Sequence, residues 1–315
     1  MPQYNKAEVG RIAQQFGFVR DTFEKVLRLK EILKYFNEQE YLKDHLLLKG
    51  GTAINLTVFN LPRMSVDIDM DYTPNDSRKD MLEARSRITA IIKDYMKAEG
   101  YHLSPASRFS HSLDAFCYQY QNTGGNRDMI KVEINYSLRA HVLEPVYRNI
   151  LPEAFDDGLK IRTVDPMEIY AAKGNALISR AAARDLYDWG NLMEQKLFDE
   201  ERDLFRKCFA FYTTISADRD AVNRTFDTRA IDSLNFIKIR RDLFPVISRK
   251  DNFNLEERKR QAKDSITDLM QLTEKENEYM DYFVAKEYRP ELLFEDDAIV
   301  ERVINHPMAL WKCSK

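Results

Sequence analysis

Lys49-Gly50-Gly51-Thr52-Ala53-Ile54-Asn55-Leu56 and, a few residues on, Arg63-Met64-Ser65-Val66-Asp67-Ile68-Asp69-Met70-Asp71 decide how this chain is read. Leu46-Leu47-Leu48 ahead of the glycines is a short apolar run, the pattern of a buried strand entering a turn. Two glycines after a strand let backbone approach a ligand closely. Thr52 to Leu56 reads as a helix start, which offers unpaired N–H groups and the positive end of a dipole. Together Gly50, Gly51 and Thr52 make a phosphate cradle. Val66 to Tyr72 alternates apolar and acidic residues, the two-residue period of a strand, so Asp67 and Asp69 share one face. Adjacent carboxylates repel unless a cation neutralises them, and hard oxygen ligands favour Mg²⁺ or Mn²⁺. A phosphate cradle beside such a metal site suits nucleotidyl transfer.

Working outward, Asp21 to Asp44 reads as a long amphipathic helix with Phe23, Val26, Leu27, Leu33, Phe36 and Tyr41 at helical spacing. Ser77 to Glu99 is a second helix. Ala115–Gln121 and Met129–Ser137 flank a turn at 122–126 and read as an antiparallel hairpin. Within it, Glu133 is the lone acid of Ile130-Lys131-Val132-Glu133-Ile134. It is the candidate third carboxylate, although sharing a face with Lys131 also fits a solvent-facing position. Asp71 reads as structural or solvated. Leu159–Val164 is a weaker strand candidate. Asp165 as N-cap, Pro166 at the first helical position and Glu168 in capping-box spacing then start a helix. Beyond them almost everything reads helical. The expected fold is α+β: residues 1–165 with a small mixed sheet flanked by helices, and residues 166–315 a helical domain closing the cleft.

The 315 residues suit two domains of roughly 150 each. With 44% hydrophobic and 31% charged residues, the chain can build a full core, which argues against disorder. No apolar run reaches the roughly 18 residues a membrane span needs, and the first 15 residues lack an apolar signal core. The expectation is a soluble cytoplasmic protein with no membrane partner. Three scattered cysteines give no disulfide framework, and five histidines give no zinc spacing. The net charge of −3 excludes a global basic field but not local patches. Residues 251–315 carry 10 basic and 15 acidic side chains, most simply a solvated helical face. Lys160, Arg162, Lys173, Arg180 and Arg184 form one basic-leaning stretch, and Lys238, Arg240, Arg241, Arg249 and Lys250 another. Either could track RNA phosphates or be ordinary helix surface.

Gly50-Gly51-Thr52-Ala53 followed by Arg63, Ser65, Asp67 and Asp69 resembles the AbiEii/MenT nucleotidyltransferase toxins, members of the polymerase-β-like superfamily. Lys173 within Ile169-Tyr170-Ala171-Ala172-Lys173, and Ala183-Arg184-Asp185-Leu186-Tyr187-Asp188 with its R-D-x-x-D pattern, resemble later family features. The resemblance covers about residues 46 to 192. It implies a nucleotidyltransferase fold in which Gly50, Gly51 and Thr52 cradle an NTP triphosphate, Ser65 lies by the phosphates, and Asp67 and Asp69 hold Mg²⁺ or Mn²⁺. It further implies that Lys173 contacts the triphosphate and that Asp185 or Asp188 completes the active site. Arg63 reads as a surface charge at the start of a strand or as a phosphate clamp. Arg184 could pair with a neighbouring acid or meet a phosphate. The activity implied is transfer of a nucleoside monophosphate from NTP to an acceptor hydroxyl, the tRNA 3′ end foremost, with an antitoxin encoded alongside. The alternatives are a transferase acting on a small-molecule or protein hydroxyl, and a non-catalytic interaction module.

Overall fold

The computed structural model describes residues 4–152, 155, 158–216 and 222–314. One mixed sheet contains eight strands: β1 (Leu46–Lys49), β2 (Asp67–Tyr72), β3 (His102–Leu103), β4 (Arg108–Phe109), β5 (Leu113–Gln121), β6 (Arg127–Asn135), β7 (Val146–Asn149) and β8 (Lys160–Thr163). Its order is β3-β5-β6-β2-β1-β8-β7, with β4 also paired to β5. β1 runs antiparallel to β2 and parallel to β8, while β2 runs parallel to β6. The expected hairpin is present as β5 and β6. Its turn is tied by Asn122, whose side-chain oxygen accepts from the N–H of Gly124 and Asn126. β7 and the two-residue strands are too short to show a period in sequence.

The helix expected over 21–44 is two helices, Arg20–Glu38 and Glu40–His45. Gln39 leaves the helical region (φ −76°, ψ 109°), and its side chain caps the second helix by accepting from the Leu42 N–H at 2.7 Å. Phe23, Val26, Leu29, Leu33 and Phe36 are buried along the first helix. Ser77 caps the helix Arg78–Ala98. The helix after β1 begins at Gly50 itself and runs to Thr57.

The chain divides into two compact units, one of Met1–Arg139, Pro145–Val164 and Pro245–Asp251, the other of Ala140–Glu144, Asp165–Phe244 and Asn252–Lys315. Residues 245–251 join the sheet unit because Met64 donates to the Val246 carbonyl at 2.7 Å and Arg63 bridges Ile247. Residues 140–144 join the helical unit through Glu168. Its carboxylate accepts from the N–H groups of Val142 and Leu143, from the His141 ring and from the Tyr212 hydroxyl. Glu168 therefore does not close a capping box: it is buried and faces inward, while Asp165 caps the helix Pro166–Arg180 alone by accepting from Met167. Burial opposes the Glu168 charge, but His141, Tyr212 and the Leu143 amide hold its carboxyl below the usual range. Among the described residues no helix is long and apolar enough to cross a membrane.

Candidate active site

Gly50 adopts φ +69°, the left-handed region where a side chain is strained. A Cβ there would lie 2.7 Å from an Asp69 carboxylate oxygen. At Gly51 a Cβ would lie 2.6 Å from the Arg63 guanidinium and 2.9 Å from the Ser65 hydroxyl. The two glycines thus let backbone, Asp69, Arg63 and Ser65 crowd into one place. Lys49, at the N-cap of the helix Gly50–Thr57, makes no side-chain capping bond, and a helix start of this kind is where an anion is favoured. The Thr52 hydroxyl donates to the Asp67 carbonyl and ties this helix start to β2. Asn55, fully buried, donates to the Gly51 carbonyl at 2.8 Å and accepts from the Arg63 N–H at 3.4 Å. Arg63 is buried and donates to the Met64 carbonyl at 3.0 Å, which rules out the surface-charge reading.

On β2, Asp67 and Asp69 are half-buried on one face. Parallel pairing sets Asp67 beside Lys131 and Asp69 beside Glu133 on β6. The register therefore brings the three expected carboxylates onto adjoining strands and places a lysine among them. Lys131 Nζ pairs with Glu133 at 2.9 Å. Burial works against the Lys131 charge, but the bond and charge of Glu133, with the charges of Asp67 and Asp69, hold its pKa above the usual lysine value. Asp71, on the same strand face, is buried in an ion pair with Lys49; it is structural rather than solvated.

No group of three or more His, Cys, Asp or Glu side chains is arranged to hold a metal ion among the described residues. The residues nonetheless fit a divalent cation through Asp67 and Asp69. The donors are hard oxygens, they lie beside the Gly50 cradle, and the cluster already draws in an ammonium as counter-charge. Glu133 is engaged by Lys131 instead of joining a three-carboxylate set. Lys131 is the residue that sequence reasoning missed. The alternation over 130–134 places it on the Glu133 face, but only the β2–β6 register sets it beside the aspartates.

The helical unit carries the other expected residues. Gly174, one position after Lys173, allows a close approach: a Cβ there would meet Trp189 at 2.7 Å and Phe209 at 2.8 Å. Lys173 Nζ lies 3.0 Å from Asp185 and 2.8 Å from Asp188, both on the helix Ala183–Gln195. Asp185 and Asp188 are buried, and Arg180 stands 4.0 Å from Asp185. Arg184 pairs its Nε with the Asp242 carbonyl at 3.0 Å.

The model of the AbiEii nucleotidyl transferase toxins of type IV toxin–antitoxin systems matches residues 31–285. The chain belongs to this AbiEii family. That family is one of nucleotidyltransferase toxins, and the match takes in both the sheet motif and the Lys173 helix pair. No curated protein matches the sequence. Among solved structures the chain is similar to MenT4, a nucleotidyltransferase toxin from Mycobacterium tuberculosis, with a TM-score of 0.65 over 98% of this chain and 99% of that one. At 17% identity that likeness shows a common fold. The AbiEii chain is thus mixed α/β in the manner expected, with helices and a mixed sheet.

Proposed function

We propose that this AbiEii toxin transfers a nucleoside monophosphate from an NTP to a hydroxyl on RNA, the tRNA 3′ end foremost, and releases pyrophosphate. The observation that carries the reading is the crowding of Asp69 against Gly50 at an uncapped helix start, with Asp67 on the same strand face. Gly50 and Gly51 present backbone N–H groups to the triphosphate, and Thr52 holds the loop to β2. Arg63 and Ser65 pack over Gly51 and fix its position next to the phosphates. Asp67 and Asp69 would hold Mg²⁺ or Mn²⁺, with Glu133 the further carboxylate once released from Lys131. When bound, the ion supplies charge neutralisation of the triphosphate and lowers the pKa of the acceptor hydroxyl. Lys173 provides a cation for triphosphate oxygens, oriented by Asp185 and Asp188. A blocked tRNA 3′ end cannot be aminoacylated, which accounts for toxicity, and an antitoxin encoded alongside would restrain it in the cytoplasm.

The test incubates the protein with total tRNA and each labelled NTP in turn, with Mg²⁺ or with EDTA, and reads the RNA on a gel. Mg²⁺-dependent label on RNA is expected. Pyrophosphate release with label only on a small hydroxyl compound or on protein overturns the RNA acceptor. No pyrophosphate release with any acceptor overturns transfer and leaves the interaction-module alternative.

A further inference from the structure

The helix Phe236–Asp242 exposes apolar surface of a kind a free surface rarely leaves uncovered. Phe236 is 61% and Ile237 77% exposed, while Ile239 and Leu243 are fully buried. Arg240 follows Phe236 by one turn, and Phe244 lies just beyond the helix end. Phe244 returns its ring edge to Phe236, with centroids 5.7 Å apart at 79°. The segment is basic: Lys238, Arg240 and Arg241 stand against Asp242 alone, which Arg241 neutralises at 2.6 Å. The nearby Asp232 is paired with Lys263 at 2.7 Å. The segment is also anchored. Arg184, next to Asp185, donates to the carbonyl of Asp242, so this helix is fastened to the one that holds Asp185 and Asp188.

A contiguous apolar patch of this kind marks a binding surface. The occupant is named by chemistry. An apolar protein helix would be served by aliphatic side chains without the cations. Aromatic faces interleaved with arginine and lysine match single-stranded nucleic acid, whose bases stack and whose phosphates need counter-charge. We propose that Phe236, Ile237, Arg240 and Phe244 form a platform for single-stranded RNA. Phe236 stacks a base, Arg240 and Lys238 meet backbone phosphates, and Ile237 covers the sugar or base edge. The inference rests on RNA being the acceptor.

The experiment measures fluorescence anisotropy of labelled total tRNA and of labelled oligoadenylate on the full chain across a salt series, beside binding of a fluorescent NTP. Phe236→Leu keeps apolar area but loses the ring face, and is expected to weaken both RNAs by about tenfold. Phe236→Trp is expected to retain wild-type affinity. Arg240→Ala should lower the salt slope by about 0.7, one single-strand phosphate. NTP binding should stay as in wild type, and melting temperatures should too, because these side chains are exposed. Wild-type RNA affinity and salt slope in a Phe236→Leu/Arg240→Ala double variant overturn the platform. So does loss of a protein partner, rather than of RNA, in Arg240→Glu/Arg241→Glu. If the wild type labels RNA while the variants label it equally well, the platform alone fails. If the wild type neither binds nor labels RNA yet releases pyrophosphate, the RNA acceptor fails and takes the platform with it.

Discussion

The sheet unit and the helical unit each gather acids around a lysine, one set half-buried and the other buried. On β2 and β6, Lys131 pairs with Glu133 and is held charged by Asp67 and Asp69 as well. In the helical unit, Lys173 and Arg180 face Asp185 and Asp188. The first cluster is half-buried and stands beside an uncapped helix start; the second is buried and closed on itself. Like charges held together cost free energy that a second cation relieves. The half-buried strand face is therefore more open to an added cation than the buried helical cluster is. For Lys173 to meet a triphosphate, it must exchange a carboxylate oxygen for a phosphate oxygen, which conserves its bonding and loosens the pair behind it.

If that contrast is functional, the largest effects come from the strand face. Asp67→Asn and Asp69→Asn should each lower nucleotide transfer by about a thousandfold or more, a barrier increase of about 4 kcal/mol. In Asp67→Asn the melting temperature without metal should hold or rise, because a charge that repels Asp69 is removed. Transfer rate and thermal unfolding on the same preparations check both. Near-wild-type transfer in either variant would sink the two-aspartate site.

The closed side should answer in stability first. Lys173→Ala leaves Asp185 and Asp188 buried without their ammonium, and losing one partner of a buried ion pair costs about 3–5 kcal/mol. Lys173→Ala/Asp188→Asn should recover part of this. Urea unfolding gives the stabilities, and fluorescent-NTP binding to the folded fraction tells whether Lys173 also meets the triphosphate. Unchanged stability in Lys173→Ala would show that the pair is not closed in solution.

The two clusters also differ in how much of them the sequence displays. The cradle and Asp67/Asp69 lie within about twenty residues, and the two-residue period of a strand is enough to put both acids on one face. The β5–β6 hairpin is likewise written locally, in alternating residues about an Asn/Gly turn. What depends on long-range register is hidden. Lys131 joins the aspartates only because β2 pairs parallel with β6. Glu168 looks like half of a capping box, since Asp165 stands three residues before it. A buried destination among His141, Tyr212 and the 142–143 amides overrides that local pattern. The break at Gln39 is invisible to periodicity because the apolar spacing continues across it.

A third prediction uses a second closed polar site of the helical unit. His306 is buried, and its Nδ1 accepts from the N–H groups of Met308 and Ala309, a cap that a protonated ring cannot make. Burial, with His141 adding to it, pushes its pKa down from 6.5 to about 4. The unfolded chain therefore binds a proton between those values that the folded chain refuses. Stability is fully present above pH 6.5 and is lost as pH falls toward 4, by on the order of 3 kcal/mol from this residue. His306→Asn keeps a capping oxygen and should flatten that slope in denaturant unfolding between pH 4 and 7. An unchanged slope would place the acid sensitivity elsewhere.

The smallest effect is the most direct probe of the strand cluster. Lys131→Met keeps the length of the side chain and removes the one ammonium that Glu133 pairs with. Glu133 then loses its ammonium, and Asp67 and Asp69 lose a favourable charge beside them, so the melting temperature in EDTA should fall by about 2–4 °C, the shift that ~1 kcal/mol produces in a unit of this size. The same change removes the internal competitor of an added cation, so Mn²⁺ should stabilise the variant more than wild type, and at lower concentration. The two directions must occur together. A variant that loses stability in EDTA but gains nothing extra from Mn²⁺ would make Lys131 an ordinary salt-bridge partner of Glu133. A variant that gains from Mn²⁺ even with Asp69→Asn in place would move the cation away from β2. Only loss in EDTA, recovery with Mn²⁺ and dependence on Asp69 together mark the strand face as a cation site that Lys131 occupies by proxy.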